Sequence, residues 1–284
     1  MRTQLSLFPK SLAALSVPAL AGLVRASGLD TCNAVLRKGY WTDPDRFAHD
    51  LPEFTSAMRG EGVEITFTET DWDPAQLLAL PNVEETLELF HGCGIRDIRL
   101  RQTNSGGKFG GVGDVRRELS ELARAFTKLS ALAERHPVRF IYQVHHKTLV
   151  SSPSALWTLL RDLPPTQVGA MLDAGNQAIE GFEDWLKSAR LLSSHLVAFG
   201  VKDLAYTRDP AQASADTKGW RTEFRPINEG VTNWRQVVAA LRDIDFHGTL
   251  VFMPFYREGA TAPSLAPVLQ REVSYLRAML AAPS

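Results

Sequence analysis

Gln143 and His145 stand two residues apart at the end of an apolar run, Val138–Val144, so an extended chain presents both on one face. His146, the next residue, points elsewhere, toward the protein wall or solvent, so the His-His pair is not a two-ligand metal site. Other apolar runs also end in polar residues. Glu69 and Asp71 follow one run, Arg101 and Gln102 another; Asp173 and Asn176, then Lys202 and Asp203, close two more. Arg37, Lys38 and Tyr40 end an earlier run, and Met253, Tyr256 and Arg257 the last. These types suit proton transfer and charge stabilisation. His145 or Glu69 can act as a general base. Lys202, with Asp173 beside it, can hold a developing enolate or alkoxide. Arg101, Gln143, Asn176, Trp41 and Tyr256 are the candidate substrate contacts.

Those residues converge only if the elements carrying them do. Strand-like runs fall at Gln4–Phe8, Cys32–Leu36, Val63–Thr68, Ile98–Arg101, Val138–Val144, Gly169–Asp173, Leu196–Val201 and Thr249–Met253. Helical patterns lie between them, at about 11–26, 44–60, 82–92, 115–135, 153–163, 182–194, 233–244 and 264–281. The spacing of Leu119, Leu122, Phe126, Leu129 and Leu132 is helical, as is that of Trp234, Val237, Val238 and Leu241. Eight strand–helix units predict an α/β fold, a single (β/α)8 TIM barrel over residues 1–284. An open doubly wound sheet would carry a glycine fingerprint after its first strand, where this chain has Pro9 and Lys10. In a barrel, Asn104–Gly113 and Leu204–Val231 are long loops on the active face. The glycines of the first suggest a flexible lid, since no GKS or GKT ending follows. Arg208, Lys218, Arg221 and Arg225 on the second are available to an anion, and Trp72, Phe109 and Trp220 offer further aromatic faces for stacking on a sugar.

The balance of charge narrows the partners. Lys and Arg number 31 and Asp and Glu 32, a net charge of -1, which gives no field for nucleic acid or an anionic membrane. Two cysteines, Cys32 and Cys93, exclude a zinc finger or redox dithiol and fit a reducing cytoplasm. The apolar run Ser11–Val24 is too short to span a bilayer. It reads as a buried first helix capped by Ser11 rather than a signal-peptide core.

Three stretches carry a family resemblance. VRFIYQVH (Val138–His145) resembles a fifth strand ending Glu-Asn-His, VGAMLDAGN (Val168–Asn176) a sixth ending Asp-Thr-Gly-His, and VAFGVKD (Val197–Asp203) a seventh with His-x-Lys-Asp. INEGVTNW (Ile227–Trp234) and FHGTLVFM (Phe246–Met253) are similar to the segments that follow. The chain thus resembles the xylose isomerase-like TIM barrels, most clearly from about residue 95 to 256. These include sugar and sugar-phosphate isomerases and epimerases, inosose dehydratases and endonuclease IV.

The resemblance implies Mn²⁺ or Mg²⁺ held by Glu, Asp, His and Glu from strands five to eight. Those positions are Gln143, Asp173, Gly200 and Met253 here, so only Asp173 is kept, and the His closing the sixth-strand motif is Asn176. Hard cations want carboxylate and imidazole, which Gln, Gly and Met do not supply. The two Glu positions are also the family's acid/base pair. The expectation is therefore no metal cofactor and a cytoplasmic sugar, sugar-acid or sugar-phosphate isomerase, epimerase or lyase working without metal. The alternative is a non-catalytic carbohydrate-binding or regulatory pseudoenzyme. The expected partner is a small carbohydrate, with neither nucleic acid nor membrane; homo-oligomerisation stays open. Endonuclease chemistry lacks its ligands and a basic groove.

Overall fold

The computed structural model describes residues 3–104, 113–181, 183–215, 217–256 and 261–282. Parallel strands form one sheet. They are β1 (Gln4–Leu7), β2 (Thr31–Cys32), β3 (Ala34–Leu36), β4 (Phe67–Thr70), β5 (Asp97–Arg99), β6 (Arg139–Gln143), β7 (Val168–Asp173), β8 (Leu196–Val201) and β11 (Thr249–Phe252). Their order is β2-β1-β11-β8-β7-β6-β5-β4-β3. β2 and β3 are two pieces of one barrel strand broken at Asn33. The first piece pairs with β1 through Leu7 and Cys32, the second with β4 through Val35 and Glu69. Joining them closes the barrel at eight strands, as the alternation of apolar runs predicts.

A closed parallel sheet is covered on both faces, so its strands read as continuous apolar runs. β7 and β8 are buried along their whole length. Inside the barrel, Phe8, Val35, Phe67, Ile141, Met171, Ala198, Val251 and Met253 form one cluster. Outward residues such as Phe140, Tyr142, Leu172, Phe199 and Phe252 pack beneath the helices. The interior is not wholly apolar. Arg99 and Glu69 form a buried ion pair, Asn33 Nδ2 donates to Glu69 Oε1 at 3.2 Å, and Ser6 Oγ donates to Asn33 Oδ1 at 2.5 Å.

The helices follow their patterns. α5 (Val115–Arg135) starts where Asp114 accepts from the Arg117 amide at 3.1 Å, and buries Leu122, Phe126, Leu129 and Leu132. α9 (Trp234–Asp243) is capped by Asn233 and buries Trp234, Val237, Val238 and Leu241. α2 (Phe47–Gly60), α4 (Val83–Gly92), α6 (Pro153–Leu160), α8 (Trp185–Leu192) and α10 (Ala262–Ala281) lie within a few residues of expectation. Among the described residues, no helix is long and apolar enough to cross a membrane.

Four readings need correction. α1 is Val17–Ser27, capped by Ser16 with Pro18 in its first turn; Ser11 lies in a preceding 3-10 turn, Lys10–Leu12. Two helices were not anticipated: α3 (Pro74–Leu78), with an Asp73–Gln76 capping box, and α7 (Ala174–Glu180), which follows β7 without a loop. The third barrel strand begins at Phe67 rather than Val63. The segment Leu204–Val231 is not an open loop but contains an antiparallel hairpin, β9 (Asp203–Arg208) and β10 (Trp220–Arg225). Residues 105–112, most of the glycine-rich stretch Asn104–Gly113 with Phe109, lie outside the described residues, as does Arg257.

The hairpin is anchored by a buried carboxylate at its root. Asp203 accepts from the Leu204 amide at 2.8 Å, the Thr232 hydroxyl at 3.0 Å and the Trp234 indole at 2.9 Å. It therefore ties the start of the insertion to its end and to α9. Removing it leaves several buried donors without an acceptor. Asp203→Ala is expected to lose about 3 kcal/mol of stability and to open the hairpin to proteases. Urea unfolding and limited proteolysis check this; an unchanged midpoint with no new cleavage near 204–231 refutes it.

Candidate functional site

The strand C-termini surround a cleft of about 600 Å³ lined by Lys10, Ser11, Tyr40, His145, His146, Lys202, Phe224 and Phe255. Beneath it lies a smaller chamber of about 80 Å³. Arg37, Arg99, Arg101, Gln102, Gln143 and Met253 line this chamber, and Lys10, His145, Lys202 and Phe255 line both spaces.

An ion pair forms the floor. Lys202 Nζ lies 3.2 Å from Asp173 Oδ2, and the two residues are 5% and 0% exposed. Asp173 also accepts from Gln143 Nε2 at 2.7 Å and from the Asn176 amide at 2.8 Å, the latter capping α7. Lys202 donates to Asn176 Oδ1 at 3.0 Å. Gln102 Nε2 donates to Gln143 Oε1 at 2.9 Å, which turns the Gln143 amide group toward Asp173. Two glycines make this possible. A Cβ on Gly200 would lie 2.8 Å from Asp173 Oδ2, and one on Gly175 would lie 2.7 Å from Lys202 Cε.

Above the floor the two histidines stack, their ring centroids 4.5 Å apart. His145 Nδ1 lies 2.9 Å from the His146 carbonyl, which can only accept, so Nδ1 carries the proton and Nε2 keeps a lone pair. His146 Nδ1 lies 2.8 Å from Asn176 Oδ1, and Asn176 is oriented by its own donation to the Val144 carbonyl at 3.3 Å. His146 thus has the same tautomer. Burial, helped by the Lys202 charge, lowers His145 to about 4 and holds it neutral; His146 is lowered for the same reasons. Phe224 and Phe255 roof the lysine, each with its ring centroid 5.5 Å from Lys202 Nζ.

The structure brings together Gln143, His145, Asp173, Asn176 and Lys202. His146 joins them, against the reading that turned it away: β6 ends at Gln143, and Lys147 takes a positive φ of 56°, so strand alternation no longer applies. Glu69 does not line the cleft. It is buried behind Arg99, and burial pushes its carboxyl above the usual range against the pull of Arg99 and Asn33. Arg101 reaches the chamber wall, held by Gln76 Oε1 at 2.9 Å and Asp73. Trp41 stacks on Phe54 and donates to the Leu15 carbonyl at 2.9 Å; its neighbour Tyr40 faces the cleft instead. Tyr256 is turned to Glu272 on α10, and Phe255 takes the cleft position. None of Arg208, Lys218, Arg221 and Arg225 lines the cleft; Arg221 and Arg225 pair with Glu223 on the hairpin. Lys10, Ser11, Phe224 and Phe255 were missed. Applying the strand-end rule to the first strand would have found the first two.

A family model described as xylose isomerase-like TIM barrel matches residues 22–279. The chain belongs to that family. Solved structures repeat its fold. A D-psicose 3-epimerase with D-tagatose from Clostridium cellulolyticum H10 is 16% identical, over 98% of this chain and 99% of its own, at a TM-score of 0.72. A 3-keto-D-glucoside 4-epimerase from E. coli is 12% identical, over 98% and 100%, at 0.69. A xylose isomerase-like TIM barrel protein from Mycobacterium smegmatis, in complex with magnesium, is 14% identical, over 99% and 98%, at 0.64. A comparison with curated protein sequences finds no match.

For this xylose isomerase-like barrel, the residues at the metal positions do not suit a divalent cation. Gln143 turns an amide N–H toward Asp173, an ammonium sits 3.2 Å from that carboxylate, and the space beside Gly200 is filled by Asp173 itself. Met253 belongs to the interior apolar cluster. Among the described residues, the one group of three potential metal-binding side chains is His49, Asp50 and Glu53, on α2 and away from the cleft.

The depressed His145 has a consequence for stability. The unfolded chain takes up its proton near 6.5, the folded one only near 4. The contribution is therefore full above 6.5 and is lost as pH falls toward 4, on the order of 3 kcal/mol. His145→Phe keeps the stacking and removes this slope. Unfolding free energies measured from pH 7 to 4 are expected to fall less steeply for the variant; parallel curves refute the assignment.

Proposed function

We propose that this xylose isomerase-like barrel is a sugar isomerase or epimerase that works without a tightly bound divalent metal, with Lys202 supplying the positive charge. The observation that carries the reading is the Lys202–Asp173 pair at 3.2 Å, an ammonium set against the one retained acidic ligand. The family and the epimerases among its structural neighbours support the substrate class.

In this reading a sugar lies in the cleft with its carbonyl oxygen toward Lys202. His145 Nε2, the free lone pair of the ring, takes the proton from the carbon next to the carbonyl. The C–H electron pair moves into the carbon skeleton and the carbonyl π pair onto oxygen, giving an enediolate that the Lys202 ammonium holds. Return of the proton to the same carbon on its other face epimerises it; return to the neighbouring carbon, with hydroxyl proton transfer, isomerises the sugar. The developing anion strengthens the imidazolium that forms, which offsets the low basicity of His145 in the free protein.

A second reading has its own support. Every polar group on the floor already has a partner, as in a closed-off cavity, and Gln143 and Met253 cannot move protons. That favours a carbohydrate-binding pseudoenzyme.

Solvent exchange separates the two. A panel of ketoses and aldoses in D₂O, followed by NMR after dialysis against EDTA, is expected to show deuterium next to the carbonyl for at least one sugar, without stimulation by Mn²⁺. Lys202→Met should lower the rate by about 10²–10³-fold. Because that change strands Asp173, the paired variant Lys202→Met/Asp173→Asn serves as the folded control. Activity abolished by EDTA and restored by Mn²⁺ overturns metal independence; sugar binding with no exchange establishes the pseudoenzyme.

A further inference from the structure

The charge of a sugar in this cleft is legible from the cations around it. Five line the cleft and chamber: Lys10, Arg37, Arg99, Arg101 and Lys202. Four already hold an acid: Arg37 pairs with Asp71, Arg99 with Glu69, Arg101 with Asp73 and Lys202 with Asp173. Lys10 makes no ion pair among the described residues; the carboxylates nearest in effect, Glu69 and Asp71, are each paired with an arginine. Its ammonium lies 5.6 Å from the Phe255 ring centroid. Partial desolvation, then the nearby Arg37 and Arg99 charges, lower its pKa and outweigh the opposing pull of Glu69 and Asp71, so an anion beside it would relieve a net repulsion.

The neighbouring residue offers an independent sign. Ser11 also lines the cleft, and its hydroxyl is buried with no hydrogen-bond partner among the described residues. Such orphans are uncommon in native proteins. Rotation of this hydroxyl about χ1 toward a ligand would sacrifice no hydrogen bond. Lys10 and Lys202 share the Phe255 ring, at 5.6 and 5.5 Å from its centroid. One short polyhydroxylated chain can therefore meet both.

We propose that Lys10 and Ser11 bind a carboxylate of the substrate, which makes that substrate a sugar acid rather than a neutral sugar; this rests on the carbohydrate reading of the cleft. A carboxylate suits the site better than a phosphate. Phosphate dianions are held by guanidinium forks or nests of backbone amides, and the three arginines here are already engaged. One ammonium and one hydroxyl match a monoanion.

The test is calorimetric titration of the full chain, Lys10→Ala and Ser11→Ala. The probes are glucose, galactose and mannose, each as free hexose, hexuronate and hexose 6-phosphate, with malonate as a non-carbohydrate anion. Lys10 sits on a 3-10 turn and belongs to neither apolar core cluster, so its truncation leaves the barrel core untouched. At least one hexuronate is expected to bind about tenfold more tightly than its hexose. Lys10→Ala should erase that preference while leaving the hexose unchanged, and Ser11→Ala should weaken the hexuronate alone. Equal binding of hexose and hexuronate overturns the proposal and leaves the carbohydrate reading standing. A Lys10-dependent preference for the 6-phosphate overturns the carboxylate assignment. Binding of malonate through Lys10 with no sugar bound overturns the carbohydrate reading and keeps the anion site. No binding by any probe overturns both.

Discussion

The arrangement at the barrel mouth depends on one buried ion pair, Asp173 with Lys202. Two charges removed from water at adjacent strand ends are costly unless their remaining donors and acceptors are met. The surrounding residues are those that meet them. Asn176 receives the lysine through its side chain and gives its amide to the aspartate; Gln143 gives its N–H and is held in turn by Gln102. The backbone yields too. Gly200 stands in register with Asp173 on the next strand, where a β-carbon would strike the carboxylate, and Gly175 clears the lysine stem. Phe224, brought in on the hairpin, and Phe255, after the last barrel strand, cover the ammonium. The hairpin in turn rests on Asp203, the residue after that lysine, so one strand end sets both the charge and its roof.

Much of this was legible in the sequence, for reasons that also mark where legibility stops. Parallel barrel strands are apolar on both faces, so their positions stand out as runs. Closure of the barrel then compels Gln143, Asp173 and Lys202 to meet, whatever the details. Parity is dependable only within a strand. His146 was turned away by strand parity, and Trp41 and Tyr256 were taken as substrate contacts; each lies beyond a strand's last residue, where the chain has begun to turn. Glu69 lies inside its strand, paired with Arg99 and away from the cleft. What no spacing reveals is that Arg99 lies between it and the cleft.

Two further misreadings had signals that went unused. Trp220, Thr222 and Phe224 alternate with Arg221, Glu223 and Arg225, a period of two that marks β10 within an apparent loop. Ser16 precedes Val17 and Pro18, and proline in the first turn is a stronger mark of a helix start than Ser11 alone. Moving that start frees Ser11 from the helix and places it, with Lys10, on the face where strand ends do chemistry.

In the proposed reading a lysine takes the place of a divalent cation, which changes what the rest of the site must do. A metal ion orients a substrate by accepting two or more of its oxygens at fixed angles. An ammonium is a single charge with three rotatable donors, and here two of its directions are taken by Asp173 and Asn176. One direction remains for a ligand, enough to stabilise an oxyanion and too little to fix a sugar in place. Orientation must then come from elsewhere. The two histidines, locked in one tautomer by His146 O and Asn176 Oδ1, present Nε2 as an acceptor at fixed positions. Phe255 gives a flat face, and Lys10, 5.6 Å from that ring's centroid, is a second charge. A substrate with an acidic group at one end and a carbonyl at the other would be held at both, restoring through two separated cations the alignment that chelation supplies at one.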